Sequence, residues 1–239
     1  METVAIGRSI QRKEAWDKVT GIAKYTDDYI VPGILHAKLV TSPFAHAKIK
    51  SIDTSYAIKA PGVQSVVTGS SFPTLFGVII EDRPPLATDK VRFFGEAIAL
   101  VVANSEREAM HAVKLVKVEY EPLPVINSPD DAIKNGATII HENLGQYKLA
   151  EDVSPEPNTN IAERIKIRKG DMAKGWAESE VVIEASYALP KSDHIAMETR
   201  NVRAEIHADG QVVISSSTQA VSNGHSINLL SHLGLTHWN

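Results

Sequence analysis

Apolar positions fall into short runs separated by turn-forming residues over the first half of the chain. Ile34–Val40 and Ala47–Ile52 each have the length of a strand, and Pro61-Gly62 marks a turn ahead of a third, Val63–Thr68. Ala97-Ile98-Ala99-Leu100-Val101-Val102-Ala103 is continuously apolar, the pattern of a strand covered on both faces. A helix follows. Ser105 and Glu108 have capping-box spacing, so the hydroxyl and the carboxylate can each satisfy a free backbone N–H. Ala109, Val113 and Val116 recur at i, i+4 and i+7, which puts them on one face against a sheet. Val118-Glu119-Tyr120-Glu121 reads as a further strand, closed by Pro122 and Pro124. Residues 21–126 thus form an α+β domain behind a polar extension over residues 1–20.

The pattern then changes. Ser128-Pro129-Asp130-Asp131 can start a short helix, but residues 143–160 are poor in apolar side chains and contain Pro155 and Pro157. Residues 127–164 read as a linker or surface arm. Regular patterning resumes near Ile165, where a second region, residues 165–239, begins. Asp171 can cap a short helix carrying Met172 and Trp176. Val181, Ile183, Ala185, Tyr187 and Leu189 alternate as one face of a long strand. Val202, Ala204 and Ile206 alternate again, and Ala208-Asp209-Gly210 turns the chain into Val212, Ile214 and Ser216, a hairpin. A last helix, with Ile227, Leu230 and Leu233 inward, ends at Gly234. Gln219 therefore sits where a strand hands over to a helix.

Composition narrows the chemistry. A formal net charge of −4, with Lys and Arg scattered, lacks the basic stripe that collects phosphates, which argues against nucleic acid as a partner. Zero cysteines exclude disulfides, thiolate zinc sites, iron–sulfur clusters and a cysteine nucleophile within these residues. No run approaches eighteen apolar residues, and Met1 to Lys13 lacks the apolar centre of a signal peptide. The expectation is a soluble cytoplasmic protein with no membrane partner.

Several generic signals fail on inspection. Gly170 and Gly175 have the glycine spacing of a phosphate loop, but Trp176 and Ala177 stand where its Lys and Ser/Thr belong. Ser192, Asp193 and His194 contain triad residue types, yet sequence neighbours rarely converge with triad geometry. His194 and Glu198 have helical ligand spacing in a segment that does not read as helix, so no metal site is expected from protein ligands. Glu198 has two readings: an anchor beside Gln219, or a strand-end carboxylate paired with Arg200 or Arg203. Gln219 likewise either binds backbone groups structurally or faces a ligand.

The order of short motifs resembles the molybdenum-cofactor subunit of the xanthine dehydrogenase and aldehyde oxidase family. It runs from Gly7-Arg8-Ser9-Ile10 and Asp17-Lys18-Val19-Thr20-Gly21 through Ala23-Lys24-Tyr25-Thr26-Asp27-Asp28 and Ser42-Pro43-Phe44-Ala45-His46-Ala47. Pro84-Pro85-Leu86-Ala87, Lys90-Val91-Arg92-Phe93-Phe94-Gly95-Glu96 and Val118–Pro124 follow at matching intervals. The later Met197-Glu198-Thr199-Arg200 and Ser217-Thr218-Gln219 are similar to the opening of the family's molybdopterin-binding domain. Asn160-Ile161-Ala162, Arg168-Lys169-Gly170-Asp171 and Ser192-Asp193-His194 look closest to bacterial purine-degrading members.

The resemblance implies an α/β hammerhead domain followed by the truncated start of a molybdopterin-binding domain. It implies hydroxylation of a purine, another N-heterocycle or an aldehyde with water as oxygen source, electrons leaving through iron–sulfur clusters and flavin in other domains or subunits. Gln219 matches the glutamine that contacts a molybdenum oxo group, with Glu198 as its support. The family's Gly-Gly-Phe-Gly segment and its glutamate general base have no counterpart in these 239 residues. The expectation is an N-terminal part of such a subunit, from a truncated, split or interrupted frame. It would have no catalytic residue of its own, would not retain the cofactor, and would be inactive alone. Its partners would be iron–sulfur and flavin chains and the missing molybdopterin-binding part. The alternative is a non-catalytic assembly module.

Overall fold

The continuously apolar run becomes the middle strand of the larger part of the structure. The computed structural model describes residues 6–218, which group into two units: residues 33–186, and residues 6–32 together with 187–218.

In residues 33–186, β1 (His36–Thr41), β5 (Ala97–Ala103) and β3 (Val63–Thr68) form one antiparallel sheet in that order. A second sheet orders β4 (Lys90–Val91), β2 (Ala47–Asp53) and β6 (Lys117–Pro122), also antiparallel. Alternate side chains of β5 enter different apolar clusters. Ala99 and Val101 join Val40 and Ala112, while Ile98 joins Ala47, Ala87 and Val91. This is why the run has no polar alternation: both faces of β5 are in contact with apolar groups.

Helix α2 (Glu106–Val113) packs on the β1–β5–β3 sheet through Ala109 and Ala112. It ends sooner than the spacing suggests; Val116 lies beyond it yet still packs on the same cluster. Its start is half of a capping box. Ser105 Oγ accepts the Glu108 N–H at 3.3 Å, but the Glu108 carboxylate accepts the Ser105 hydroxyl at 2.7 Å instead of reaching a backbone N–H. The Pro61-Gly62 turn needs its glycine, because Gly62 has φ +75°.

The apolar-poor stretch after β6 is tied down by polar contacts. Ser128 caps the short helix α3 (Pro129–Ala132). The Asn160 side chain donates to the Ala132 and Thr138 carbonyls and accepts the Ile140 N–H, fastening three turns to one residue. Lys90, whose side chain is 5% exposed, holds both Glu142 carboxylate oxygens at 2.7 and 2.6 Å. Helix α4 (Met172–Glu178) starts at Asp171, whose side chain accepts the Lys174 N–H.

The long strand expected over residues 181–189 does not form. Those residues carry no ladder, and Leu189 is 92% exposed. Alternation alone does not hold a strand; its N–H and C=O groups need a neighbouring strand, and the described residues supply none.

In the other unit, α1 (Ala15–Thr20) ends at Gly21 in the left-handed conformation. A turn of 3₁₀-helix spans Thr26–Asp28. β7 (Val202–Ile206) and β8 (Val212–Ser216) form the expected hairpin, with Val202 opposite Ser216 and Ala204 opposite Ile214. Its loop closes through His207 N–H to the Gln211 carbonyl at 2.8 Å. The face with Val202, Ala204 and Ile206 points outward, and the half-buried residues of β7 are Arg203 and Glu205. The last predicted helix, with Ile227, Leu230 and Leu233, lies outside the described residues.

Candidate functional site

β8 leads into Ser217, Thr218 and Gln219, so its end is the place to look for chemistry. Gln219 itself lies outside the described residues. Beside the strand end is a cleft of about 490 Å³, lined by Lys24, Tyr25, Thr26, Tyr29, Glu198, Arg203, Ser215 and Ser216. All eight belong to the smaller unit. Glu198, one of the two residues that the sequence offers as candidates, lines the same opening as Ser215 and Ser216 at the end of β8.

Glu198 is not an ion-pair partner of Arg200 or Arg203 among the described residues. Its Oε1 accepts the Thr26 N–H at 3.2 Å. Arg203 lies 3.3 Å from Glu205 and has its guanidinium 5.2 Å from the centre of the Tyr29 ring, a cation–π distance. Lys24 Nζ stands 5.9 Å from the same ring. Two cations and two serine hydroxyls around one opening suit the anionic groups of a polar ligand, and one carboxylate oxygen of Glu198 stays beyond the Thr26 bond. The opening is polar and mixed in charge, with Lys24 and Arg203 sharing it with the Glu198 carboxylate.

Nothing in the sequence pattern singles out Thr26, Asp27, Tyr29, Asn201 or Arg203 as site residues. Asn201 Nδ2 donates to Asp27 Oδ1 at 2.7 Å, which joins the first part of the chain to the hairpin. The only signal for this is the Ala23–Asp28 motif, which carries no chemistry by composition.

Other motif residues bracket the larger unit. The Ser42 hydroxyl bonds both the N–H and the carbonyl of Phe44, and the Ser42 N–H donates to the Glu96 carbonyl. His46 Nδ1–H donates to the Pro124 carbonyl at 2.6 Å. The Glu96 carboxylate accepts the Arg92 N–H, and burial pushes its pKa up. These contacts join three separate motifs, so their residue types are explained by structure. Ser192, Asp193 and His194 are exposed, and no group of three or more His, Asp or Glu able to hold a metal occurs among the described residues.

Residues 20–124 match the family model for the "aldehyde oxidase and xanthine dehydrogenase, a/b hammerhead domain", and residues 153–236 match that for the "molybdopterin cofactor-binding domain". The chain belongs to the xanthine dehydrogenase and aldehyde oxidase family. A probable xanthine dehydrogenase subunit of Bacillus subtilis is 38% identical over 87% of this chain and 26% of its own length. The xanthine dehydrogenase molybdenum-binding subunit of Escherichia coli O157:H7 is 33% identical over 87% of this chain and 27% of its own length. The solved structure of the aldehyde oxidoreductase of Desulfovibrio gigas aligns with a TM-score of 0.75 at 30% identity, covering 94% of this chain and 25% of that one. The chain thus spans about a quarter of the length of these relatives. The fold is a hammerhead domain with the start of a molybdopterin-binding domain. No helix among the described residues is long and apolar enough to cross a membrane.

Proposed function

We propose that these residues form the N-terminal part of a molybdenum hydroxylase that oxidises a purine, with water as the source of oxygen. The observation that supports the reading is the cleft at the end of β8, where Glu198 lines the same opening as Ser215 and Ser216. Gln219 would face the molybdenum centre and Glu198 would support that edge of the site through Thr26. The pterin-bound metal supplies the redox chemistry when present; this chain's own residues contribute hydrogen bonds and position.

In this reading residues 21–126 are the hammerhead, 127–164 a connecting arm, and 165–239 the opening of the cofactor domain. Iron–sulfur and flavin chains are the electron-transfer partners, in the cytoplasm, and the general base and most of the cofactor platform come from polypeptide beyond these residues. The purine assignment draws on relatives named for xanthine dehydrogenase. Nicotinate-like heterocycles and aldehydes are the alternative substrates.

A second reading makes the chain a non-catalytic assembly module. The outward apolar face of the β7–β8 hairpin favours it, because an uncovered face of this kind invites a partner. The 239-residue polypeptide, purified alone, is expected to carry no molybdenum and to turn over neither hypoxanthine nor xanthine. Co-expression with the remaining family polypeptide is expected to bring both metal and turnover. Stoichiometric molybdenum or activity in the isolated chain refutes the first reading. A stable complex with neither metal nor turnover favours the second.

A further inference from the structure

We propose that the Lys24–Tyr29 segment is a clamp that positions the strand end leading to Gln219, and that Asn201 transmits its hold. The proposal rests on the reading of Gln219 as a cofactor contact. Asn201 is held through both its side chain and its backbone. Its side-chain Nδ2 donates to Asp27 Oδ1 at 2.7 Å, its N–H donates to Ser217 Oγ at 2.8 Å, and its carbonyl accepts the Ser217 N–H at 3.1 Å. The Ser217 hydroxyl also lies 3.3 Å from that carbonyl. Ser217 precedes Gln219 by two residues in the sequence, and what fixes Asn201 fixes the chain as far as Ser217.

The clamp is preorganised. The Tyr25 N–H donates to Asp28 Oδ2 at 2.8 Å and the Asp28 N–H donates back to the Tyr25 carbonyl at 3.0 Å. That closed turn presents the Asp27 carboxylate to Asn201 and the Thr26 N–H to Glu198. Tyr29 backs it by lying under Arg203 of β7. A two-stranded hairpin is marginal by itself, and the face with Val202, Ala204 and Ile206 is outward, so among the described residues no apolar layer covers that face. The polar ties to residues 26 and 27 hold the hairpin's open end instead. Asp27 and Asn201 are positioning residues: they act through Ser217.

Amide hydrogen exchange of the whole 239-residue chain tests this, read at residues 199–203 and 212–218 with β5 as internal reference. Asn201→Asp sets two carboxylates against each other, and a lost charge-assisted bond of this kind should speed exchange of the Ser217 amide about tenfold or more. β5 should not change. Asp27→Asn combined with Asn201→Asp restores a donor–acceptor pair in the reverse direction and should return exchange to the original rate, which general destabilisation would not do. Unchanged exchange in Asn201→Asp, or no recovery in the double variant, overturns the clamp. In the assembled hydroxylase the Mo(V) resonance spectrum is a second readout. A change in Asn201→Asp that reverts in the double variant ties the clamp to Gln219. An unchanged spectrum, with exchange altered as expected, keeps the clamp and overturns the cofactor assignment of Gln219.

Discussion

In residues 33–186, β5 has a strand on either side and apolar side chains against both faces. In the unit built from residues 6–32 and 187–218, β7 and β8 have only each other among the described residues, and Val202 and Ile206 face outward. The first arrangement draws its stability from area removed from water, which is non-directional and large in sum. The second depends on a few directed bonds: Thr26 to Glu198, Asn201 to Asp27, and Arg203 over Tyr29. Directed bonds add less stability than a core does, but they fix angle and register. The same division separates the motifs. Those between residues 42 and 124 hold one another, while the motif at residues 23–28 reaches the cleft.

The largest test of that contrast is a matched pair of truncations. Ile98→Ala, in the core, is expected to cost about 2–5 kcal/mol in urea unfolding, whereas Ile206→Ala, at 76% exposure, should stay within about 0.5 kcal/mol. Equal costs would mean that the outer face of the hairpin is covered in solution, and the contrast would break. Next in size is Glu142→Ala. It leaves the buried Lys90 ammonium without its carboxylate and should cost roughly 1–3 kcal/mol. Loss of protease protection confined to residues 141–160 would locate the effect in the arm.

The smallest expected effect depends on pH. Burial, followed by the Arg92 charge, lowers the pKa of His141, so the folded unit keeps it neutral. The unfolded chain takes up that proton below about pH 6.5 and the folded one does not, so stability is lost as pH falls from there towards the lower folded value. Glu96 works in the opposite sense. Its raised pKa makes the folded unit the better proton acceptor, and stability rises as pH drops through that value. Melting temperatures at pH 7.5 and 5.5 separate the two, since His141→Gln should flatten the decline. An unaltered decline in that variant would assign it to another group.

Many elements in both regions were legible because their signals are local. β3 and β5 occupy the predicted residues, Ser105 and Asp171 start helices, and Ala208-Asp209-Gly210 turns the hairpin. The misread elements are those whose outcome depends on groups outside the local pattern. The Glu108 carboxylate turned to the nearest hydroxyl, and residues 181–189 found no partner strand among the described residues.

Local periodicity and capping chemistry determined by themselves where most strands and helices lie, because a period of two, an apolar run or a cap acts within a few residues. The ordered motifs were equally a property of the sequence, and they led to the family. Only the tertiary structure decided what Glu198 and Asn201 touch. Their partners, Thr26 and Asp27, lie 172 and 174 residues away, a distance over which no spacing rule operates. Contacts of that range form when folding brings two turns together, and the hydrogen-bonding groups each turn presents then select the pair.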